Sequence, residues 1–309
     1  MRIAILDLGT NTFHLLIASV NKRGDWKKVF KSKTAVKLGE GAIHQNEIAP
    51  IPFKRGIRAL LHYKKIIAIH KPEKVFAFAT SAIRGAKNGS DFVEMAKEKT
   101  GIDITVISGD KEAELIYLGV RQCIELGESP VLIMDIGGGS TEFIIANREK
   151  IFWKHSYNIG AARLLEIFKP SDPLHLSELK KTEKFLSSEL STMIAAVKKY
   201  APDQLIGSSG SFDTFAEMIG FQFYNRNIIA NTNKYNFKME EYFHLHEKIL
   251  FSTIAQRKKM KGLVKMRVDM IVLATICTAV VLRETGIKKM SLSKYALKEG
   301  ALSAVIANG

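Results

Sequence analysis

Ile5-Leu6-Asp7-Leu8-Gly9-Thr10-Asn11-Thr12, running on into Leu15-Leu16-Ile17-Ala18, is answered by Ile133-Met134-Asp135-Ile136-Gly137-Gly138-Gly139-Ser140, running on into Phe143-Ile144-Ile145-Ala146. The two stretches align without a gap at a constant offset of 128 residues. Each reads as an apolar strand, an Asp-x-Gly turn, hydroxyl residues and a second apolar strand. A repeat of this length, one copy opening the chain and one near its middle, predicts two related half-molecules. Each offers an aspartate and a small-residue loop to a shared ligand.

Gly9 and the Gly137-Gly138-Gly139 run permit positive φ and close backbone approach, so successive N–H groups can converge on an anion as a nest. Thr10, Thr12, Ser140 and Thr141 add hydroxyl donors, and phosphate is the anion that such loops suit. Asp7 and Asp135 stand where each strand leaves the core. A carboxylate there repels a bound phosphate unless a divalent cation lies between them, so the pair implies Mg²⁺ or Mn²⁺. A lone Asp-x-Gly is more often only a hairpin turn. Two copies in register, both followed by hydroxyls, favour function. A third segment, Leu205-Ile206-Gly207-Ser208-Ser209-Gly210-Ser211, repeats the strand-to-glycine theme and is either another phosphate cradle or an ordinary tight turn.

The 309 residues are 46% hydrophobic and 25% charged, ordinary for a soluble globular protein and enough for two medium cores. A net charge of +15 favours an acidic partner. Basic residues gather at Lys27, Lys28, Lys31, Lys33 and Lys37, at Lys180, Lys181 and Lys184, and at Arg257, Lys258, Lys259, Lys261 and Lys265. Each cluster alone reads as a solvated face; the excess over the whole chain does not separate nucleic acid, membrane surface and polyphosphate. Cys123 and Cys277 lie in apolar helical settings without a C-x-x-C pattern, so inert thiols and a reducing compartment are expected. The chain enters a strand directly after Met1-Arg2, without a signal-peptide pattern, and a cytoplasmic location is expected. Met270 to Leu282, bounded by Asp269 and Arg283, reads as a buried helix too short to span a bilayer.

Helical spacing covers 52–70, and strands are predicted at 26–36, 75–79 and 102–107. Helices are predicted from Ser90 or Asp91 to Gly101 and from about Lys111 to Leu126. Further on come a long helix over 177–200, a helical stretch over 241–286, a strand over 288–292 and a closing helix from Tyr295. This alternation predicts an α/β protein of two related domains facing each other across a cleft. Domain I covers 1–124 and is completed by the closing helix 297–309; domain II covers 125–296 with helical insertions.

Five separated motifs bear on the family. They are Asp7-x-Gly9-Thr10-Asn11-Thr12-Phe13-His14, Ala79-Thr80-Ser81-Ala82-Ile83-Arg84-x-Ala86-x-Asn88, and Ile107-Ser108-Gly109-x-x-Glu112-Ala113-x-Leu115-Ile116-Tyr117-Leu118-Gly119-Val120 in the first part. Asp135-Ile136-Gly137-Gly138-Gly139-Ser140-Thr141-Glu142 and Ser291-x-x-x-Tyr295-Ala296-Leu297-x-Glu299-Gly300 follow. Together they resemble the exopolyphosphatase and guanosine pentaphosphate phosphatase (Ppx/GppA) family, from residue 1 to about 302. The resemblance implies two ribonuclease H-like domains of the actin-like ATPase and sugar-kinase superfold. It also implies Mg²⁺-dependent hydrolysis of a terminal phosphoanhydride, releasing orthophosphate from inorganic polyphosphate or guanosine pentaphosphate. The chain looks like the short, two-domain form, without the further C-terminal helical domains of some members.

Matched position by position, Glu112 corresponds to the family's catalytic glutamate, which activates water. Asp135 and Glu142 correspond to the carboxylates associated with Mg²⁺ and water, and Asp7 flanks the opposite loop as a third acid expected at the metal. Arg84 resembles the phosphate-binding arginine. Gly9-Thr10-Asn11-Thr12, Gly137-Gly138-Gly139-Ser140-Thr141 and Gly207-Ser208-Ser209-Gly210-Ser211 are the expected phosphate-binding loops. Glu112 falls in the first turn of a helix, where a carboxylate can also simply complement the helix dipole. Arg267 and Asp269 read as a structural ion pair. Thr10 and Thr12 replace serines common in the family, and Lys111 places a cation next to Glu112 that favours its ionised form if the side chains approach. The implied partner is a polyanionic phosphate, with no membrane and no specific nucleic acid; a homodimer is an allowed assembly. Two other readings are an ATP-dependent kinase of the same superfold and a polyphosphate or alarmone sensor without turnover. The setting of Glu112 speaks against the first, and the intact Glu112, Asp135, Glu142 and Arg84 against the second.

Overall fold

The opening repeat folds as β1 (Arg2–Leu8) and β2 (Thr12–Val20), an antiparallel pair with Asp7 opposite His14 and Leu8 opposite Phe13. β3 (Trp26–Ala35) continues the meander antiparallel to β2. After α1 (Pro50–His70), β4 (Lys74–Ala79) joins β1 in parallel. α2 (Ser81–Arg84) and α3 (Gly89–Thr100) lead to β5 (Ile104–Val106), parallel to β4, and α4 (Gly109–Cys123) leaves the sheet. The strand order is β3-β2-β1-β4-β5. β1 is apolar at successive positions because both of its faces are covered. Ala4, Leu6 and Leu8 join Phe13, Tyr63 and Phe92 in one core, while Ile3 and Ile5 are equally buried on the other face.

The second copy builds the same sheet. β6 (Val131–Ile136), β7 (Thr141–Ala146) and β8 (Ile151–Tyr157) form the antiparallel meander. α5 (Ala161–Phe168), α6 (Leu176–Glu189) and α7 (Ser191–Tyr200) precede β9 (Leu205–Ser208), which is parallel to β6, and α8 (Ser209–Phe223) follows it. Then come β10 (Lys234–Phe237), α9 (Met239–Leu250), α10 (Ile254–Arg257), α11 (Ile271–Thr285) and β11 (Met290–Ser293). The order is β10-β11-β9-β6-β7-β8. Without the added edge strand β10 it matches the first sheet strand for strand, so the repeat extends beyond the hairpins to two complete ribonuclease H-like sheets. α12 (Leu297–Ala307) closes the chain and packs on β1 and β2.

This computed structural model describes residues 1–307; the last two residues of the closing helix expected over 297–309 lie outside the described residues. The fold divides into two units, Met1–Gly119 with the helix that starts at Leu297, and Val120–Ala296, the division falling inside α4. The long helix expected over 177–200 is two helices parted at Leu190, a fully buried side chain with φ −86° and ψ 9° that turns the chain while anchoring it in the core. The helical stretch expected over 241–286 is α9, α10 and α11 with irregular chain between them. β10, whose Lys-Tyr-Asn-Phe offers too few apolar residues to announce a strand, is held by antiparallel pairing to β11. α11 is buried along most of its length, and among the described residues no helix is long and apolar enough to cross a membrane. Cys277 sits within it, where burial pushes the thiol up to about 12.

Candidate active site

Both copies of the turn close with the same hydrogen bond. The Gly9 N–H donates to the Thr12 carbonyl at 3.1 Å and the Gly137 N–H to the Ser140 carbonyl at 3.0 Å. A Cβ on Gly9 or Gly137 would stand 3.0 or 2.8 Å from that carbonyl oxygen, so a larger residue would push the turn open. The loop carbonyls are then captured by the chain that follows the third strand. In the first copy the Asn11 carbonyl accepts the Val36 and Lys37 N–H groups at 2.9 Å, and the Thr10 carbonyl accepts that of Gly39 at 3.4 Å. In the second, the Gly137 carbonyl accepts the Ala161 N–H at 3.0 Å and the Gly138 carbonyl accepts those of Ala162 and Arg163 at 2.9 and 3.0 Å. The Gly139 carbonyl accepts the Gly160 N–H at 3.3 Å and Arg163 Nε at 3.0 Å. A planar trans peptide points its N–H away from its C=O. Tying the carbonyls down on one side therefore turns the N–H groups of Asn11 and Thr12, and of Gly138, Gly139 and Ser140, to the other, as an anion nest requires.

Behind the second turn, Asp135 and Glu142 lie directly opposite each other in the β6–β7 register and are 4% and 1% exposed. Asp135 also faces Ser208 on β9, and Glu142 faces Ser156 on β8. One row across the sheet thus reads Ser208, Asp135, Glu142, Ser156. Both serines donate inward, Ser208 Oγ to Asp135 Oδ2 and Ser156 Oγ to Glu142 Oε1, each at 2.7 Å. Two buried carboxylates opposite each other repel unless a cation or a proton is shared between them. Among the described residues no group of three or more His, Cys, Asp and Glu gathers as a protein-only metal cage. The donor set instead fits the way Mg²⁺ is usually held, by one or two carboxylates with water and substrate phosphates. Asp7, expected as a third acid, stands in the other unit, where its row continues through His14 to Lys33.

Glu112 is in the first turn of α4, 7% exposed. Ser108 Oγ accepts the Lys111 N–H at 3.1 Å, capping the helix and fixing where its first turn begins. Arg84, at the end of α2, donates from Nη1 to Glu112 Oε2 at 2.7 Å and to the Ile107 carbonyl at 3.1 Å. Two residues to which the sequence assigned separate tasks are one ion pair. Lys111, expected as the cation beside Glu112, turns away to Glu114 at 3.1 Å, and Arg84 takes that place.

Several expected phosphate ligands have other work. Thr141 is fully buried and its Oγ1 donates to the Ile159 carbonyl at 3.2 Å, so it is a core hydroxyl. Ser208 is spent on Asp135. Gly207 lies inside β9, where a Cβ would meet the Phe212 ring at 2.0 Å; it is a packing glycine. Ser209 turns the chain at φ +68° into α8, with Gly210 and Ser211 in its first turn. A Cβ on Gly210 would stand 1.5 Å from Arg267 Nη2. Arg267 therefore packs on the start of α8, donating from Nη1 to Thr214 Oγ1 at 2.8 Å, in place of the expected pair with Asp269. Burial lowers its pKa, against the opposing charges of Asp213 and Glu217. The methyl group that distinguishes Thr10 from serine packs on Gly39, where a Cβ would meet it at 2.8 Å. The sequence reading missed Gly160, Arg163 and Ser156. For Gly160 the signal was the small-residue run Gly160-Ala161-Ala162: a Cβ on Gly160 would stand 2.5 Å from the Gly138 backbone.

The fold is a pair of ribonuclease H-like units, each with a glycine turn at the end of its first strand and an acid one residue inside that strand's end. The chain belongs to the Ppx/GppA phosphatase family, whose sequence profile matches residues 16–308. It is 26% identical over 312 residues to exopolyphosphatase 1 of Mycobacterium tuberculosis, covering 98% of this chain and 87% of that one. An exopolyphosphatase structure from Cytophaga hutchinsonii superposes with a TM-score of 0.96 at 34% identity, over 100% of this chain and 98% of that chain. The Aquifex aeolicus PPX-GPPA enzyme gives a TM-score of 0.81 at 27% identity, over 98% and 99%.

Proposed function

We propose that this protein is an exopolyphosphatase-type hydrolase that releases orthophosphate from the end of inorganic polyphosphate. The observation that carries the reading is Glu112, a nearly buried carboxylate fixed by Arg84 in a chain whose relatives are exopolyphosphatases. Arg84 holds Oε2 so that the carboxylate keeps one orientation, and Glu112 takes a proton from the attacking water. The bond from water oxygen to the terminal phosphorus forms as the phosphoanhydride P–O bond breaks, and the shortened chain leaves in line. The planar fork of Arg84 suits a phosphate oxygen as well as Glu112. Taken unit by unit, each nest suits non-bridging oxygens: the N–H groups of Asn11 and Thr12 in the first, and those of Gly138, Gly139 and Ser140 in the second. Asp135 and Glu142 are the residues that would hold Mg²⁺ or Mn²⁺. Such an ion, when bound, neutralises phosphate charge and stabilises the leaving oxygen. The net charge of +15 supports a long polyanion over guanosine pentaphosphate.

The test is Mg²⁺-dependent phosphate release, measured in parallel on short polyphosphate, long polyphosphate, guanosine pentaphosphate and ATP, for the wild type and for Glu112→Gln. Release from polyphosphate that disappears in the folded variant supports the mechanism, and full activity in the variant sinks it. Tight binding without turnover of any substrate would favour the sensor reading, and preference for guanosine pentaphosphate would reassign the substrate.

A further inference from the structure

Residues 251–268, from the end of α9 to the approach to α11, carry six basic residues and no acidic one. Arg257 differs from the others. It is 5% exposed, donates from Nε to the Val268 carbonyl at 2.9 Å and from Nη1 to the Ser252 carbonyl, and reaches Asp172 through Nη2 at 3.4 Å. One guanidinium thereby ties together the two ends of a loop. Lys258, Lys259, Lys261 and Lys265, which lie between those ends, are exposed, and among the described residues none of their ammonium groups has an acidic partner.

The loop lies along α8. Gly262, at φ +85°, approaches so closely that a Cβ would stand 2.7 Å from Glu217 and Met218 backbone atoms, and Arg267 meets Gly210 in the first turn. The separation of Glu217 from Gly210 is about 10 Å of helix. Between these two contacts the chain that carries Lys265 runs toward the start of α8, next to Ser208, which is bonded to Asp135, and Lys258, Lys259 and Lys261 stand on the part of the loop that leads up to Gly262. The lysines of β3 form a contrasting cluster: Lys31 lies 3.7 Å from Glu299, and lysines on an edge strand discourage pairing with another chain. The loop lysines have neither explanation.

We propose that the Arg257-stapled lysine loop is a holding surface for polyphosphate, along which Lys258, Lys259, Lys261 and Lys265 contact phosphates inward from the end that is hydrolysed. The proposal rests on the hydrolase reading above. A linear chain of phosphates presents one anionic group after another, which suits a row of mobile point charges better than a single fixed pocket. The same surface offers a short substrate little, because its phosphates end before the loop.

The test compares a Lys258/Lys259/Lys261/Lys265→Ala variant with Lys27/Lys28/Lys180/Lys181→Ala, which removes equal charge elsewhere. The probes are tripolyphosphate and polyphosphate of several hundred phosphates, with single-stranded RNA of comparable length as a binding counter-test. Binding is read by retardation of the long chain in a gel, and turnover by phosphate release. The loop variant is expected to weaken binding of the long chain, and to raise its KM, by about tenfold or more, with a flatter salt dependence. Tripolyphosphate should change by less than about twofold, as should both probes in the charge-matched control. Equal losses on both lengths, an equal loss in the control, or no loss overturns the proposal. So does a loss confined to RNA, which would make the loop a nucleic-acid surface. A wild type that grips the long chain through these lysines but releases no phosphate leaves this proposal standing and sinks the hydrolase reading. Turnover that is indifferent to the loop does the reverse, and absence of both binding and turnover sinks both.

Discussion

Behind the first glycine turn stand Asp7, His14 and Lys33; behind the second, at the matching positions, stand Asp135, Glu142 and Ser156. The backbones agree down to the hydrogen bond that closes each turn and the capture of its carbonyls by the chain after the third strand. The side chains behind them do not. The first row supplies basic groups opposite its acid, whereas the second collects two acids and pins each with a serine hydroxyl. Duplication has kept what depends on glycine and peptide geometry, and has let diverge what depends on charge. The chemistry of a cation site is met by the acids of the second row and not by the first, where His14 and Lys33 follow Asp7.

The largest expected loss lies outside both copies. Glu112→Gln should lower phosphate release by about 10³-fold or more while leaving the melting temperature near that of the wild type, because on the mechanism proposed above it removes the base. Next comes the pair that tests the comparison directly. Asp135→Asn should lower release by roughly 10²-fold and raise the Mg²⁺ concentration needed for half-maximal rate. Asp7→Asn should cost no more than about tenfold and leave the Mg²⁺ requirement unchanged, since this acid sits in the row that holds His14 and Lys33. Equal losses, or an Mg²⁺ shift in both variants, would break the division of labour.

A smaller effect separates the two ways of backing the turns. Gly160→Ala sets a Cβ 2.5 Å from the Gly138 backbone, which has no rotamer to yield. Gly39→Ala in the first unit meets only side chains, Ile43 Cδ1 and Thr10 Cγ2 at 2.8 Å, which can turn aside. Gly160→Ala should therefore destabilise by about 1–3 kcal/mol and raise KM, and Gly39→Ala by less, as read from denaturant melts and phosphate-release kinetics. Matching losses in the two variants would mean that the second turn is no more rigidly backed than the first.

What the sequence disclosed follows the range of the interactions. Asp-x-Gly turns, the constant offset between the copies and the Ser-Gly helix start before Glu112 are local patterns, and they located the hairpins, the repeated core and the first turn of α4. The partners of those residues were not local. Arg84 meets Glu112 across 28 positions, Ser208 meets Asp135 across 73, and nothing in either neighbourhood announces the pairing. Thr141 and Gly207 match a phosphate-loop pattern by residue type, yet the pleat turns one hydroxyl into the core and a ring fills the space beside the other. The break at Leu190 carries no proline or glycine to mark it; packing alone sets it.

The smallest prediction concerns stability, and it belongs to the second unit alone. His246 on α9 is mostly buried, with Nδ1 2.9 Å from Thr275 Oγ1 on α11, and burial lowers its pKa below the ordinary 6.5, with Glu247 and Glu183 opposing. The unfolded chain therefore takes up a proton before the folded one does. Above about pH 6.5 both forms are neutral and the histidine's contribution is complete; as pH falls through that value, the unfolded state is favoured and stability is lost. Calorimetry at about pH 7.5 and pH 5.5 should show a drop in the melting temperature of a few °C attributable to this site, absent in His246→Gln. The same drop in both proteins would place the acid sensitivity elsewhere in the chain and remove His246 as its source.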